Sequence, residues 1–74
     1  MNPSVGDSVH YVRDGETDPS RYENGVVKKL HPDGDKAWVV YNCGGEWHNY
    51  QEYTGALTDF SNLREGWHEK ARNA

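Results

Sequence analysis

Trp47, Tyr50 and Tyr53 recur at three-residue intervals, with Glu46 and Glu52 among them. Asp59 and Phe60 extend this stretch, and residues 43–63 contain no Lys or Arg. An aromatic face attracts a cation by about 0.5–2 kcal/mol, and nearby carboxylates add Coulomb attraction. The combination suits an ammonium or guanidinium group, such as a basic side chain of a peptide. Tyr22 and Tyr41 are candidate neighbours from elsewhere in the chain. The plainer alternative is that the rings fill a core. Trp47 and Phe60 fit that alternative best, while Tyr50 and Tyr53 tolerate one wet edge.

A second set is basic: Arg13, Arg21, Lys28, Lys29 and Lys36. With Tyr11, Tyr22 and Trp38 they could form a stacking, phosphate-seeking face for nucleic acid. The same region carries Asp7, Asp14, Glu16, Asp18, Glu23, Asp33 and Asp35, so acids outnumber bases there. A solvated charged surface is the plainer reading.

Metal and nucleophilic chemistry have less to work with. Cys43 and His48 are five apart, and His10, His31 and His68 are scattered. A structural zinc site draws on four Cys or His ligands, often in closely spaced pairs. Cys43 and His48 could also be written as nucleophile and base, but nothing marks a third group. No phosphate-binding loop or metalloprotease motif is present. The expectation is a non-enzymatic chain without metal or cofactor.

These side chains need a scaffold, and the composition limits what it can be. The chain has 74 residues, net charge −4 and 34% hydrophobic residues. A domain this small buries only about 60% of its unfolded surface, so its core is thin. Leu, Val and Phe are few and Ile is absent, yet nine residues are aromatic. Disordered chains are poor in aromatics, so a fold built on rings and valines is expected. No apolar run approaches the roughly 20 residues of a membrane span. No signal peptide is visible and Cys43 is alone, so a cytoplasmic protein without a disulfide is expected.

Dense Gly, Pro, Asn and Asp divide the chain into short strands, an all-β pattern. The first expected strand is 8–12, with Val9 and Tyr11 on one face. Residues 13–21 read as an exposed polar loop. Residues 22–31 and 36–42 form a hairpin around Pro32-Asp33-Gly34-Asp35, where Pro presets one dihedral and Gly permits a positive one. A bulge or sharp bend is expected at Gly25. Gly44 and Gly45 make the next turn. Residues 46–54 read as an irregular strand or aromatic loop, although their three-residue spacing is helical. Residues 59–63 read as one 3₁₀ turn and 63–68 as the closing strand. Residues 69–74 read as a frayed tail.

The order V-G-D-S-V, Y-E-N-G-V-V-K-K-L, A-W-V-V-Y and T-D-F-S-N-L-R-E-G-W resembles the SH3-like small barrels of the Tudor and KOW type. The resemblance covers about residues 4–67. It implies a five-stranded barrel with a 3₁₀ turn before the last strand, in a single domain, and it implies binding rather than catalysis. Tudor-type barrels hold a methylated cation in an aromatic cage, and KOW-type barrels contact RNA or protein. The segment W-H-N-Y-Q-E-Y-T-G departs from both and is similar to small proteins of phages and mobile elements.

Three expectations follow. The first is a binding module for a protein or cationic peptide, using Tyr22, Tyr41, Trp47, Tyr50, Tyr53, Glu46 and Glu52. The second is a KOW-like nucleic-acid contact through Arg13, Arg21, Lys28 and Lys29. The third is an accessory or inhibitory protein of a phage or mobile element that docks on a host protein. In each, Trp67 is expected to close one end of the barrel, so that Trp67→Ala costs about 3–5 kcal/mol.

Overall fold

The computed structural model describes residues 1–73. It is an antiparallel sheet of β1 (Ser8–Tyr11), β2 (Glu23–Leu30), β3 (Lys36–Val40), β4 (Ala56–Asp59) and β5 (Leu63–Glu65). Their spatial order is β4-β3-β2-β1-β5. Among the described residues β4 and β5 do not pair, so hydrogen bonding does not close the sheet into the expected barrel.

The hairpin forms as its sequence predicts. Val26 lies opposite Val40 and Val27 opposite Val39. β-branched residues favour the pleated surface, and here they also bury, with Val27, Val39 and Val40 fully inaccessible. The register shift falls between Val27 and Lys29 rather than at Gly25. Gly25 answers a different demand. A Cβ there would stand 2.7 Å from Val39 Cγ1 and 2.8 Å from both Tyr41 Cδ1 and the Val40 carbonyl oxygen. The missing side chain lets Tyr41 lie against β2.

The core is smaller in side chain than the composition predicts. Val9, Val27, Ala37, Val39 and Leu63 form its centre, with Tyr11, Tyr41 and Phe60 packed partly buried against it. The rings stay at its margin. Trp67 departs furthest from expectation. It is 41% exposed, rests on Trp47 at 4.9 Å between ring centroids, and donates its indole N–H to the Gly25 carbonyl at 2.9 Å. It is an outer flap tethered to β2, not a barrel plug.

Two segments are more ordered than their sequences predict. Residues Trp47–Glu52 form two merged 3₁₀ turns with a kink at Asn49, as the three-residue spacing hinted. None of these six residues is buried. The C-terminal segment is not frayed over residues 69–73. Ala71 is buried, the Arg72 N–H donates to Tyr22 O at 2.9 Å, and Asn24 N–H donates to Arg72 O at 3.0 Å. Asn24, fully buried, also grips His68 through both amide atoms, donating to its carbonyl and accepting from its N–H. Residue 74 lies outside the described residues. A short 3₁₀ turn, Pro19–Arg21, interrupts the polar loop, capped by Asp18. The turn expected before the last strand is present at Phe60–Asn62.

Candidate binding groove

β1 and β3 deliver two tyrosines to one place. Strand alternation puts Tyr11 on the same face as buried Val9, and Tyr41 follows β3 on the face of Ala37 and Val39. Their rings meet edge to face, 6.1 Å apart at 71°. The Tyr41 hydroxyl lies 2.9 Å from Thr58 Oγ1, and Thr58 Oγ1 donates to Ala56 O at 3.1 Å. Thr58 has one proton to give, so Tyr41 is the donor to Thr58. Burial pushes the Tyr41 hydroxyl up to about 12, which keeps it neutral.

A groove of about 510 Å³ opens beside this pair, along β4. Its walls include Tyr11, Glu23, Tyr41, Thr58, Asp59 and Asn62. Lys36 also lines it, but its ammonium is held by Asp35 at 2.8 Å and Asp33 at 3.4 Å. That contact keeps the Asp35 carboxyl below the usual range and raises Lys36. Among the described residues Glu23 and Asp59 have no ion-pair partner. The groove therefore offers two aromatic rings and the uncompensated carboxylate of Glu23, which lies opposite Tyr11, while Asp59 borders it from β4 with its side chain on the face of Leu57. Tyr11 and Glu23 also line an adjoining depression of about 210 Å³ with Arg13, Glu16, Arg21 and Arg72.

No match to a known protein family, curated protein or solved structure was found.

Of the seven residues of the expected aromatic-acidic surface, Tyr41 lines the main groove. Trp47 lies against Trp67 and borders a smaller hollow with Tyr41 and Cys43. Tyr53 lines another hollow with Tyr41, Gly55 and Ala56. Its hydroxyl donates to Glu46 Oε2 at 2.5 Å, so Glu46 is occupied, and this bond raises the Tyr53 hydroxyl. Tyr50 is half-buried, its hydroxyl against Gly6. Glu52 is exposed. Tyr22 stands with two imidazoles, stacked on His10 at 5.7 Å and edge-on to His68 at 5.4 Å. Two of these rings, Trp47 and Tyr53, thus neighbour Tyr41, while Tyr22 and Tyr50 belong to other contacts.

The four residues of the expected nucleic-acid face are drawn to three different partners. Lys28 Nζ donates to Tyr53 O at 2.6 Å. Lys29 lies over the Trp38 ring at 5.5 Å. Arg13 and Arg21 approach Glu16 at 3.6 and 3.9 Å. Among the described residues no three His, Cys, Asp or Glu side chains gather as a metal site, and Cys43 is buried. No helix is long and apolar enough to cross a membrane.

Sequence reasoning missed Glu23, Thr58 and Asn62 as groove residues. For Tyr11 a signal existed, because alternation with Val9 placed it on the inner face. For Glu23 none did, since its role depends on β1 pairing Tyr11 with Glu23.

Proposed function

We propose that this protein is a small non-enzymatic binding module that receives a cationic segment of a partner protein in the groove at Tyr11 and Tyr41. The observation that carries this reading is the pairing of two aromatic rings with the unpartnered Glu23 carboxylate in one groove, with Asp59 at its β4 border. A lysine or arginine entering there gains cation–π contact and Coulomb attraction without first displacing an internal cation. The strand order, with a 3₁₀ turn leading into the last strand, is compatible with the SH3-like barrels of Tudor and KOW type. Fold likeness alone selects no ligand, so the reading rests on the groove.

The nucleic-acid alternative has less support. Lys28 and Lys29 are drawn to Tyr53 and Trp38, and the two arginines share one glutamate. Docking of an accessory protein on a host protein is the same reading with one specific partner.

The experiment is a chemical-shift titration of the ¹⁵N-labelled protein with a pool of Lys- and Arg-rich peptides and, separately, a short mixed oligonucleotide. Shifts around Tyr11, Glu23, Tyr41 and Asp59 with peptides alone are expected. Shifts confined to residues 13–29 with the oligonucleotide alone would replace this function with the nucleic-acid one.

A further inference from the structure

The sheet has two edges, and they differ. In an antiparallel pair, residues alternate between bonding their partner strand and turning their N–H and C=O away from it. The Val12 N–H donates to Asn62 O and the Gly66 N–H to Ser8 O. With Tyr11 opposite Leu63 and Val9 opposite Glu65, it is Leu63 and Glu65 of β5 that face outward. The Arg64 guanidinium folds back over this edge, donating to Leu63 O at 3.0 Å and Ser61 O at 2.9 Å. The β5 edge is thereby partly capped by its own arginine.

On the other side, Phe60 N–H donates to Asp35 O at 2.9 Å. With Asp59 opposite Lys36 and Thr58 opposite Ala37, the bonding residues of β4 are Ala56 and Thr58. Leu57 and Asp59 turn their backbone N–H and C=O outward. No side chain among the described residues caps them. β4 also lacks the lysine, proline or bulge with which exposed edges are commonly blunted. Leu57 is 52% exposed on one face, while Thr58 points inward to Tyr41. All four residues of β4 line the groove.

We infer that β4 is a strand acceptor: an extended segment of a partner protein pairs with Leu57 and Asp59 and adds a sixth strand to the sheet. This deepens the proposed function and rests on its groove. Residues directly opposite across a ladder share a face. The incoming residue opposite Thr58 therefore points into the groove toward Tyr11, Tyr41 and Glu23, and it is a Lys or Arg. The residue opposite Leu57 lies on the other face and is apolar. The residue opposite Asp59 lies on the Leu57 face as well, so basic and apolar residues alternate along the incoming segment. Backbone bonds supply sequence-independent affinity and the groove supplies the preference for a cation, the division of labour of strand addition in general.

The test uses the ¹⁵N-labelled protein and synthetic peptides of about ten residues that alternate Val or Leu with Lys or Arg. Amide hydrogen exchange is read at residues 56–59. On peptide addition the exchange of Leu57 and Asp59 slows by about tenfold or more, while Ala56 and Thr58, already bonded to β3, change little. Peptides N-methylated at alternate positions provide a second arm that leaves the protein unaltered. One methylated set abolishes binding and the other does not. Binding with shifts at Tyr11 and Tyr41, but without protection of Leu57 and Asp59 and without sensitivity to methylation, overturns strand addition and leaves the groove reading intact. No binding of any peptide overturns both.

Discussion

Across the β2–β3 hairpin, Val26, Val27, Val39 and Val40 are all buried. Between residues 43 and 54, Cys43 alone is. The hairpin is held by ladder bonds and apolar burial together. The aromatic segment is held by single contacts: Lys28 Nζ to Tyr53 O, Gln51 Nε2 to Lys28 O, Tyr53 to Glu46, and Trp47 on Trp67. The difference is one of size. A thin core has room for valine side chains standing off a pleated sheet, and not for whole indoles. Rings of 150–250 Å² then cover the margin and leave an edge in water. Stability thereby rests on the valines, and the proposed recognition on rings left at the margin.

The largest effect should come from the buried centre. Leu63 is 2% exposed at the start of β5, in the core cluster. Leu63→Ala is expected to cost about 2–5 kcal/mol in urea unfolding, a large share of the stability of so small a domain. A cost below that of Trp67→Ala would erase the contrast between the two regions. Gly25→Ala comes next. The added methyl meets Val39, Tyr41 and the Val40 backbone at under 3 Å. Such overpacking costs about 1–3 kcal/mol, and here it also displaces the Tyr41 ring. Urea midpoints together with Tyr41 ring resonances check both consequences.

How far these regions were legible follows from the same physics. The hairpin announced itself because runs with paired valines flank a Pro-Asp-Gly turn, and β1 because Val9 and Tyr11 alternate with polar residues. The 3₁₀ turn at Phe60–Asn62 was also readable. β4 was not: in Ala-Leu-Thr-Asp the one large apolar residue, Leu57, is the exposed one, and pairing with β3 makes the strand. The ordered C-terminal segment was invisible because Asn24 and main-chain bonds hold it, and its one buried apolar side chain is Ala71. Trp67 misled because a large ring after a glycine reads as core, while size keeps it outside. The groove was half legible. Tyr41 and Asp59 carried a signal, but Glu23 and Thr58 join it through strand register alone.

A smaller effect sharpens the view of Tyr41 as a half-buried hinge between core and groove. In the unfolded chain its hydroxyl ionises near 10.0, and in the fold near 12. Ionisation thus favours the unfolded state. This contribution is complete below pH 10 and is lost as pH rises from 10 to 12. With allowance for its partial exposure, the loss is on the order of 1–2 kcal/mol. Tyr53, raised by Glu46, acts in the same direction. Tyr41→Phe should flatten most of the decline in a series of urea midpoints from pH 9 to 12, and an unchanged slope would place the titration elsewhere.

The smallest expected effect lies at the rings themselves. A double-mutant cycle of Trp47→Ala and Trp67→Ala should give a coupling of about 0.5–1.5 kcal/mol, the range of an aromatic pair. Trp67→Ala alone should fall below the 3–5 kcal/mol of a buried ring, because 41% of the residue is already in water. A larger loss would return Trp67 to the core.

The groove beside Tyr11 and Tyr41 is the proposed seat of a partner's cation. Its most direct test is a set of intermolecular nuclear Overhauser effects between the protein's aromatic rings and the side-chain methylenes of a bound Lys- or Arg-containing peptide. Cross-peaks are expected from the Tyr11 and Tyr41 rings to the methylene beside the ammonium or guanidinium. Cross-peaks from Trp47 and Tyr50 instead, with Tyr11 and Tyr41 silent, would contradict it.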